Sequence, residues 1–257
     1  FSCDAFGSFG SVPVGGLFDD ELGSLASGMV LSAELLNDET LRYFSNIIGP
    51  FSQQAIRAID KLEALPVRCV APGHGLMWRQ NPQHIVDVYR QLAAYAKGQA
   101  EAAVTVIWGS MYGMTEQGLE PLLAGIAAEG VQAYVHRVPQ SHVSFILRDV
   151  WRSSAVVLGM PTYEYKMFPP MAAVLDEIGR KKPQNRAAFR FGSYGWSGGA
   201  QKELDEIMTR CRFNWEFLPP VEYNGSPGTA DKALLESRGR EIAQQALKRS
   251  AGQGALK

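Results

Sequence analysis

From Gly98 onward the chain repeats one beat: a short apolar run, a polar loop, then an amphipathic helical pattern. The apolar runs fall at Ala103–Trp108, Val131–Val138, Ala155–Leu158, Ala187–Phe191 and Trp215–Leu218. Helical patterns lie near Glu116–Glu129, Ser141–Trp151, Pro169–Arg180, Ala200–Cys211 and Ala230–Ala246. Leu119, Leu122, Leu123 and Ile126 show the i, i+3, i+4, i+7 spacing of one buried helix face. Short β-branched runs alternating with helices need crossover connections, and so imply a parallel sheet covered on both faces. The beat therefore predicts an α/β fold: a doubly wound, five-stranded parallel sheet of order 2-1-3-4-5, which takes about 150 residues.

Before Gly98 the pattern is different. Thr40–Ile48 and Ser52–Leu65 read as helices, and Pro66–Val70 as a short buried strand ending in a Pro-Gly-His-Gly turn. Asn81-Pro82 starts a helix through Tyr95, with Pro at an early position where its missing N–H costs nothing. This stretch has too little strand for a closed sheet of its own. The expected division is 1–98, part of a larger α/β layer structure, and 99–257, the doubly wound domain. The chain opens Phe-Ser-Cys-Asp with no Met and reads as a protein entered in the middle; no basic segment followed by an apolar one suggests a signal peptide.

Composition narrows the function. Apolar residues make up 46%, which excludes global disorder. Twenty-five basic residues against twenty-six acidic ones, with no Lys/Arg-rich block, argue against nucleic acid or an anionic membrane surface. The uncharged stretch Ala102–Thr115 is 14 residues long, too short to span a bilayer. Cys3, Cys69 and Cys211 are odd in number and far apart, which excludes a disulfide framework or a CxxC zinc site and fits a reducing, cytoplasmic setting.

In a doubly wound sheet, ligands sit beyond the carboxyl ends of the strands, at the switch point. The loop after Trp108 reads Gly109-Ser110-Met111-Tyr112-Gly113-Met114-Thr115. Two hydroxyls bracketing a glycine before a helix start suit a phosphate group. The loop lacks Lys, Arg, GxxxxGK[ST] and GxGxxG, which fits a lone phosphomonoester better than a nucleoside triphosphate. An ordinary helix N-cap by Ser110 or Thr115 is the plainer alternative. The loops Gly159-Met160-Pro161-Thr162-Tyr163-Glu164-Tyr165 and Gly192-Ser193-Tyr194-Gly195-Trp196-Ser197-Gly198-Gly199 each put aromatics beside Gly or Pro at a strand end. A flat heteroaromatic ligand gives such rings a reason to be exposed, and Gly195 lets backbone approach a ring edge. Together the three loops point to a planar phosphate ester.

Ser110 to Thr115, Pro161-Thr162-Tyr163 and Ser193 to Ala200 closely resemble the FMN loops of flavodoxins, and the last resembles the flavodoxin-like domain of flavodiiron proteins. The resemblance implies that Ser110, Tyr112, Gly113, Met114 and Thr115 hold the FMN phosphate, with Met111 of the same loop also binding the cofactor. It places Pro161, Thr162, Tyr163, Tyr194, Gly195 and Trp196 around the isoalloxazine, with Ser193 and Gly198 also among the cofactor-binding residues. Ser2-Cys3-Asp4-Ala5-Phe6-Gly7 resembles the segment carrying the bridging carboxylate of that family's diiron site. Pro72-Gly73-His74-Gly75, with Trp78-Arg79 and Asn81-Pro82, resembles the segment carrying its last histidine. Residues 1–98 then correspond to the carboxy-terminal part of a metallo-β-lactamase-like αββα domain, with Asp4 and His74 as metal ligands.

The family's remaining ligands, an HxExDH cluster and one more histidine, would lie upstream of Asp4, so a non-haem diiron centre is expected only in the complete protein. His84, His136 and His142 read as non-ligands. The resemblance implies an oxidoreductase whose FMN takes electrons from a donor such as rubredoxin or a flavin reductase. Its diiron site would reduce dioxygen to water or nitric oxide to nitrous oxide, in a head-to-tail homodimer. The competing readings are a flavodoxin-like electron carrier, an FMN-dependent NAD(P)H:quinone reductase, and a cofactor-free interaction domain.

Overall fold

The beat after Gly98 becomes one parallel sheet. In a computed structural model, which describes residues 2–11, 17–24 and 32–251, the chain separates into two units, Phe1–Ala96 and Lys97–Lys257. Phe1, with which the chain opens, lies outside the described residues.

In the second unit, the central strands are β1 (Glu101–Trp108), β2 (Gln132–Arg137), β3 (Ser153–Gly159) and β6 (Ala187–Tyr194). The sheet order is β2-β1-β3-β6-β7, where β7 is the short edge strand Glu216–Phe217, with every pairing parallel. Helices α4 (Leu119–Ala128), α5 (Val143–Arg152), α6 (Pro169–Lys181), α7 (Ala200–Cys211) and α8 (Thr229–Ala251) cover it. Successive side chains of a strand point to opposite faces. Val156 and Leu158 accordingly join Ile146 of α5, Leu175 of α6 and Leu204 of α7 in one core. Ala155 and Val157 join Leu122 and Ile126 of α4 and Leu235 and Ile242 of α8 in the other. All seven residues of β3 are buried, as a central strand covered on both faces requires.

Helices α6 and α7 start at Pro169 and Ala200 as expected, whereas α4 and α5 start later because of a local turn or cap. A short 3₁₀ turn at Glu116–Gly118 precedes α4. α5 begins at Val143 because His142 caps it, its Nδ1 accepting from the Ser144 N–H at 3.2 Å. The fifth strand needs a larger correction. It is split into β7 (Glu216–Phe217) and β8 (Val221–Asn224), and both pair with β6. Pro219-Pro220 lies between them; two residues without an N–H cannot donate to the ladder, and a sheet tolerates that only at its edge. Arg190 Nη1 of β6 meets Glu222 Oε1 of β8 at 2.5 Å. A second unforeseen feature is the small antiparallel hairpin of β4 (Thr162–Tyr163) and β5 (Lys166–Met167).

The first unit holds α1 (Ala33–Tyr43), continued by a π-helical turn at Phe44–Ile48, then α2 (Ser52–Leu62) and α3 (Pro82–Tyr95). Asn81 caps α3, its side-chain oxygen accepting from the His84 N–H at 3.3 Å, with Pro82 following. Tyr89 of α3 packs edge-on against Phe44, ring centroids 5.0 Å apart, and donates its hydroxyl to the Gly7 carbonyl at 2.7 Å. The expected strand at Pro66–Val70 is absent: only Val70 pairs, in an isolated bridge with Trp78. Pro66 lacks a donor and the nearby Arg68 and Cys69 are exposed, so among the described residues nothing extends the bridge. Among the described residues, no helix is long and apolar enough to cross a membrane.

Candidate functional site

The carboxyl ends of β1, β3 and β6 lead into three loops that surround one cavity of about 300 Å³. The first loop supplies Met111, Tyr112 and Met114; the second, Pro161, Thr162 and Tyr163; the third, Ser193, Tyr194, Gly195 and Trp196. The volume lies at the lower end of small-molecule sites, and the wall carries apolar and aromatic groups with a few hydroxyls, as such sites do. Trp196 is 84% and Tyr112 83% exposed, so two large rings stand ready to be covered. Nothing lies within 4 Å of a Cβ built on Gly195, and the Asn224 side-chain amide donates to its carbonyl.

Ser110, Gly113, Thr115 and Gly198 do not line the cavity wall. Ser110 Oγ accepts from the Gly113 N–H at 3.0 Å and closes the loop on itself. Gly113 has φ +83°, a left-handed conformation that favours glycine. Thr115 is fully buried and caps no helix end. Its Oγ1 lies 3.2 Å from Ser193 Oγ and accepts from the Ser193 N–H at 3.3 Å, tying the first loop to the third. Gly198 is exposed with open space around it.

The cavity wall also includes Glu164, Tyr165 and Ser197, which lie in the quoted loops but were given no role from sequence, and Gly225, which the sequence reading missed. That reading also missed Tyr223, whose hydroxyl donates to the Thr115 carbonyl at 3.3 Å and supports the first loop from below. Burial pushes the Tyr223 phenol well above its ordinary pKa, with Asp231 adding to the shift, so it stays a donor. Its signal lay in β8, a strand hidden behind two prolines.

In the first unit, Asp4 Oδ1 and His74 Nε2 lie 3.6 Å apart, both exposed, at a cavity of about 330 Å³ shared with Ser8, Phe9, Tyr43 and Ile47. Backbone bonds join the two segments: Gly73 N–H to the Cys3 carbonyl at 2.7 Å and Ser8 N–H to the His74 carbonyl at 3.2 Å. Burial, reinforced by Asp4, raises the Tyr43 phenol to about 12. Among the described residues, no group of three or more His, Cys, Asp or Glu side chains gathers in a way that could hold a metal. Asp4 and His74 supply two donors, which fall short of what two irons require.

The other histidines have structural partners. His136 Nε2 meets the buried Asp149 carboxylate at 2.8 Å, His142 caps α5, and the exposed His84 packs its ring against Trp78.

A parallel sheet in this order, with three open loops at its switch point, defines a flavodoxin-like domain. No protein-family model matches the chain. It is 29% identical over 242 residues to a nitric oxide reductase of Moorella thermoacetica, covering 93% of this chain and 57% of that protein. It is 33% identical over 250 residues to the anaerobic nitric oxide reductase flavorubredoxin of Pectobacterium carotovorum, covering 95% and 46%. Among solved structures, the rubredoxin oxygen:oxidoreductase of Desulfovibrio gigas superposes with a TM-score of 0.84 at 26% identity, over 96% of this chain and 59% of that one. In sequence and fold the chain corresponds to the carboxy-terminal portion of flavodiiron proteins, flavodoxin-like part included. It spans about half the length of the curated relatives it matches.

Proposed function

We propose that the cavity at the sheet's rim binds FMN, and that the chain serves in a flavodiiron-type oxidoreductase. The observation that carries this reading is the convergence of the three loops on one cavity whose rings are exposed and whose hydroxyls are anchored. The proposed division is a partial metallo-β-lactamase-like domain up to residue 98 and an FMN-binding domain from residue 99, a division that the break after Ala96 supports.

Bound FMN supplies electron storage in one-electron steps; the chain's own residues bind and orient it. Met111, Tyr112 and Met114, on the loop that Ser110 and Thr115 hold in shape, would meet the phosphate end, where backbone amides substitute for an absent Lys or Arg. Tyr163, Tyr194 and Trp196 would flank the ring system, stacking on it and excluding water. Gly195 leaves room at the ring edge.

In the complete protein, electrons would come from a donor such as rubredoxin or a flavin reductase and end on dioxygen or nitric oxide. The reading includes a head-to-tail homodimer and a reducing, cytoplasmic setting, the latter in keeping with three free cysteines. Asp4 and His74 would be two ligands of its diiron centre, with the remaining donors outside those described here.

A second reading follows from that two-donor count: by itself, this chain is an FMN electron carrier without reductase activity. An absorption spectrum with iron analysis tests both. The expected result for the 257-residue chain is a flavin spectrum near one FMN per chain without stoichiometric iron. Two irons per chain would overturn the carrier reading, and absence of flavin after FMN loading would overturn the proposal itself.

A further inference from the structure

The loop after β3 turns back on itself through Glu164 and Tyr165, with φ +45° and +63°. Left-handed conformations are unfavourable for residues that carry a Cβ, and they persist where the surroundings impose them. Here the surroundings are visible. The Met167 N–H donates to Glu203 Oε2 at 2.6 Å, and the Ala200 N–H donates to Thr162 Oγ1 at 3.3 Å. Gly199 sits so close under the Tyr165 carbonyl that a Cβ there would overlap it. The hairpin is thus bound to the start of α7 along its length.

The outcome of that binding is the place of one phenol. Tyr165 Oη accepts from the Trp196 indole N–H at 3.3 Å. Both rings are exposed, and both line the cavity. Gly195 and Gly198 on either side of Trp196 have nothing within 4 Å of a built Cβ, so the backbone around the indole has room to pivot. The indole N–H has its partner on a different loop, one that is itself held rigidly.

We propose that Tyr165 is a positioning residue for the flavin: its hydroxyl holds the Trp196 indole in place as one wall of the cavity before FMN arrives. This rests on the FMN reading of that cavity. A preset wall lowers the ordering cost of binding, because the ring need not be immobilised when the ligand enters. Tyr165 acts through Trp196.

The test is a double-substitution cycle on the full chain, with Tyr165→Phe and Trp196→Phe, reading the FMN dissociation constant. Tyr165→Phe keeps the ring and removes only the acceptor; it should weaken FMN about three- to tenfold, the range of one hydrogen bond. In the Trp196→Phe background, which has no indole donor, the same change should have no effect. In the flavin-free protein, the Trp196 indole N–H resonance, identified by its loss in Trp196→Phe, should shift and exchange faster in Tyr165→Phe. An unchanged dissociation constant in Tyr165→Phe, or an equal loss in both backgrounds, overturns the inference while leaving the flavin reading intact. No FMN uptake by the unsubstituted chain overturns both.

Discussion

Thr115 shows what a residue type discloses and what it hides. Its hydroxyl, with that of Ser110 on the other side of Gly113, marked the first loop as a candidate phosphate site, and that loop forms part of the cavity wall. The side chain, however, is turned inward onto Ser193, a contact 78 residues away that no local pattern encodes. Thr115→Val keeps the shape and leaves the buried Ser193 N–H and hydroxyl without their partner, at a cost of about 1–3 kcal/mol. The urea midpoint should fall, and FMN should bind more weakly because the loop loses its anchor. A midpoint and an FMN dissociation constant both unchanged would show that this bridge holds nothing.

Asp149 is a second residue whose role only the folded chain shows. Burial alone would raise its pKa; bonds from His136 and Arg148, at 2.8 Å each, outweigh burial and hold it below the usual carboxylate value of 3.8. A carboxyl depressed in the folded state stabilises above its unfolded pKa, and that contribution is lost as pH falls through the folded value. Asp149→Asn should therefore cost stability at neutral pH, by about 3 kcal/mol at most because Arg148 keeps some solvent contact. The gap should close as the pH drops below about 4. Urea midpoints against pH for both proteins check this; a gap that stays constant with pH would contradict it.

Among the elements, what could be read in advance was what has a period. The helices of the second unit announced themselves through one-sided apolar spacing, and β1, β3 and β6 through runs that must be buried on both faces. The two-residue strands β4, β5 and β7 are too short to show any period, and β8 follows a Pro-Pro pair that reads as a loop. Tyr223 lies on β8 and Tyr165 in the turn between β4 and β5, which is why neither was assigned to the site from sequence. In the first unit, Pro66–Val70 looked like a strand because its apolar residues cluster, yet among the described residues it pairs only through the Val70–Trp78 bridge. Helix-on-helix packing was silent as well. A Cβ on Gly125 of α4 would fall on the Glu236 carbonyl of α8, and one on Gly239 of α8 would fall on the Leu122 carbonyl. Both close approaches are to backbone, which cannot swing aside. Gly125→Ala should force the helices apart at about 1–3 kcal/mol, despite its gain in helix propensity. An unchanged or raised melting temperature would contradict that account of the α4–α8 contact.

At the scale of the whole molecule, the two units differ in how much chemistry they contain. The second brings together a switch point, an anchored loop and exposed rings around one cavity. The first places Asp4 beside His74, and no third donor joins them among the described residues. The resemblance pointed to the three loops and to Asp4 and His74 because each sits in a short local motif, whereas a metal centre assembled from distant segments leaves no such local signal. Titration of the flavin-free chain with FMN, followed by quenching of the flavin fluorescence, tests the central claim most directly. The account predicts saturation at one FMN per chain with a dissociation constant below about 1 μM, or about 8 kcal/mol of binding. Fluorescence that simply follows the free FMN added, with no saturable quenching, would contradict it.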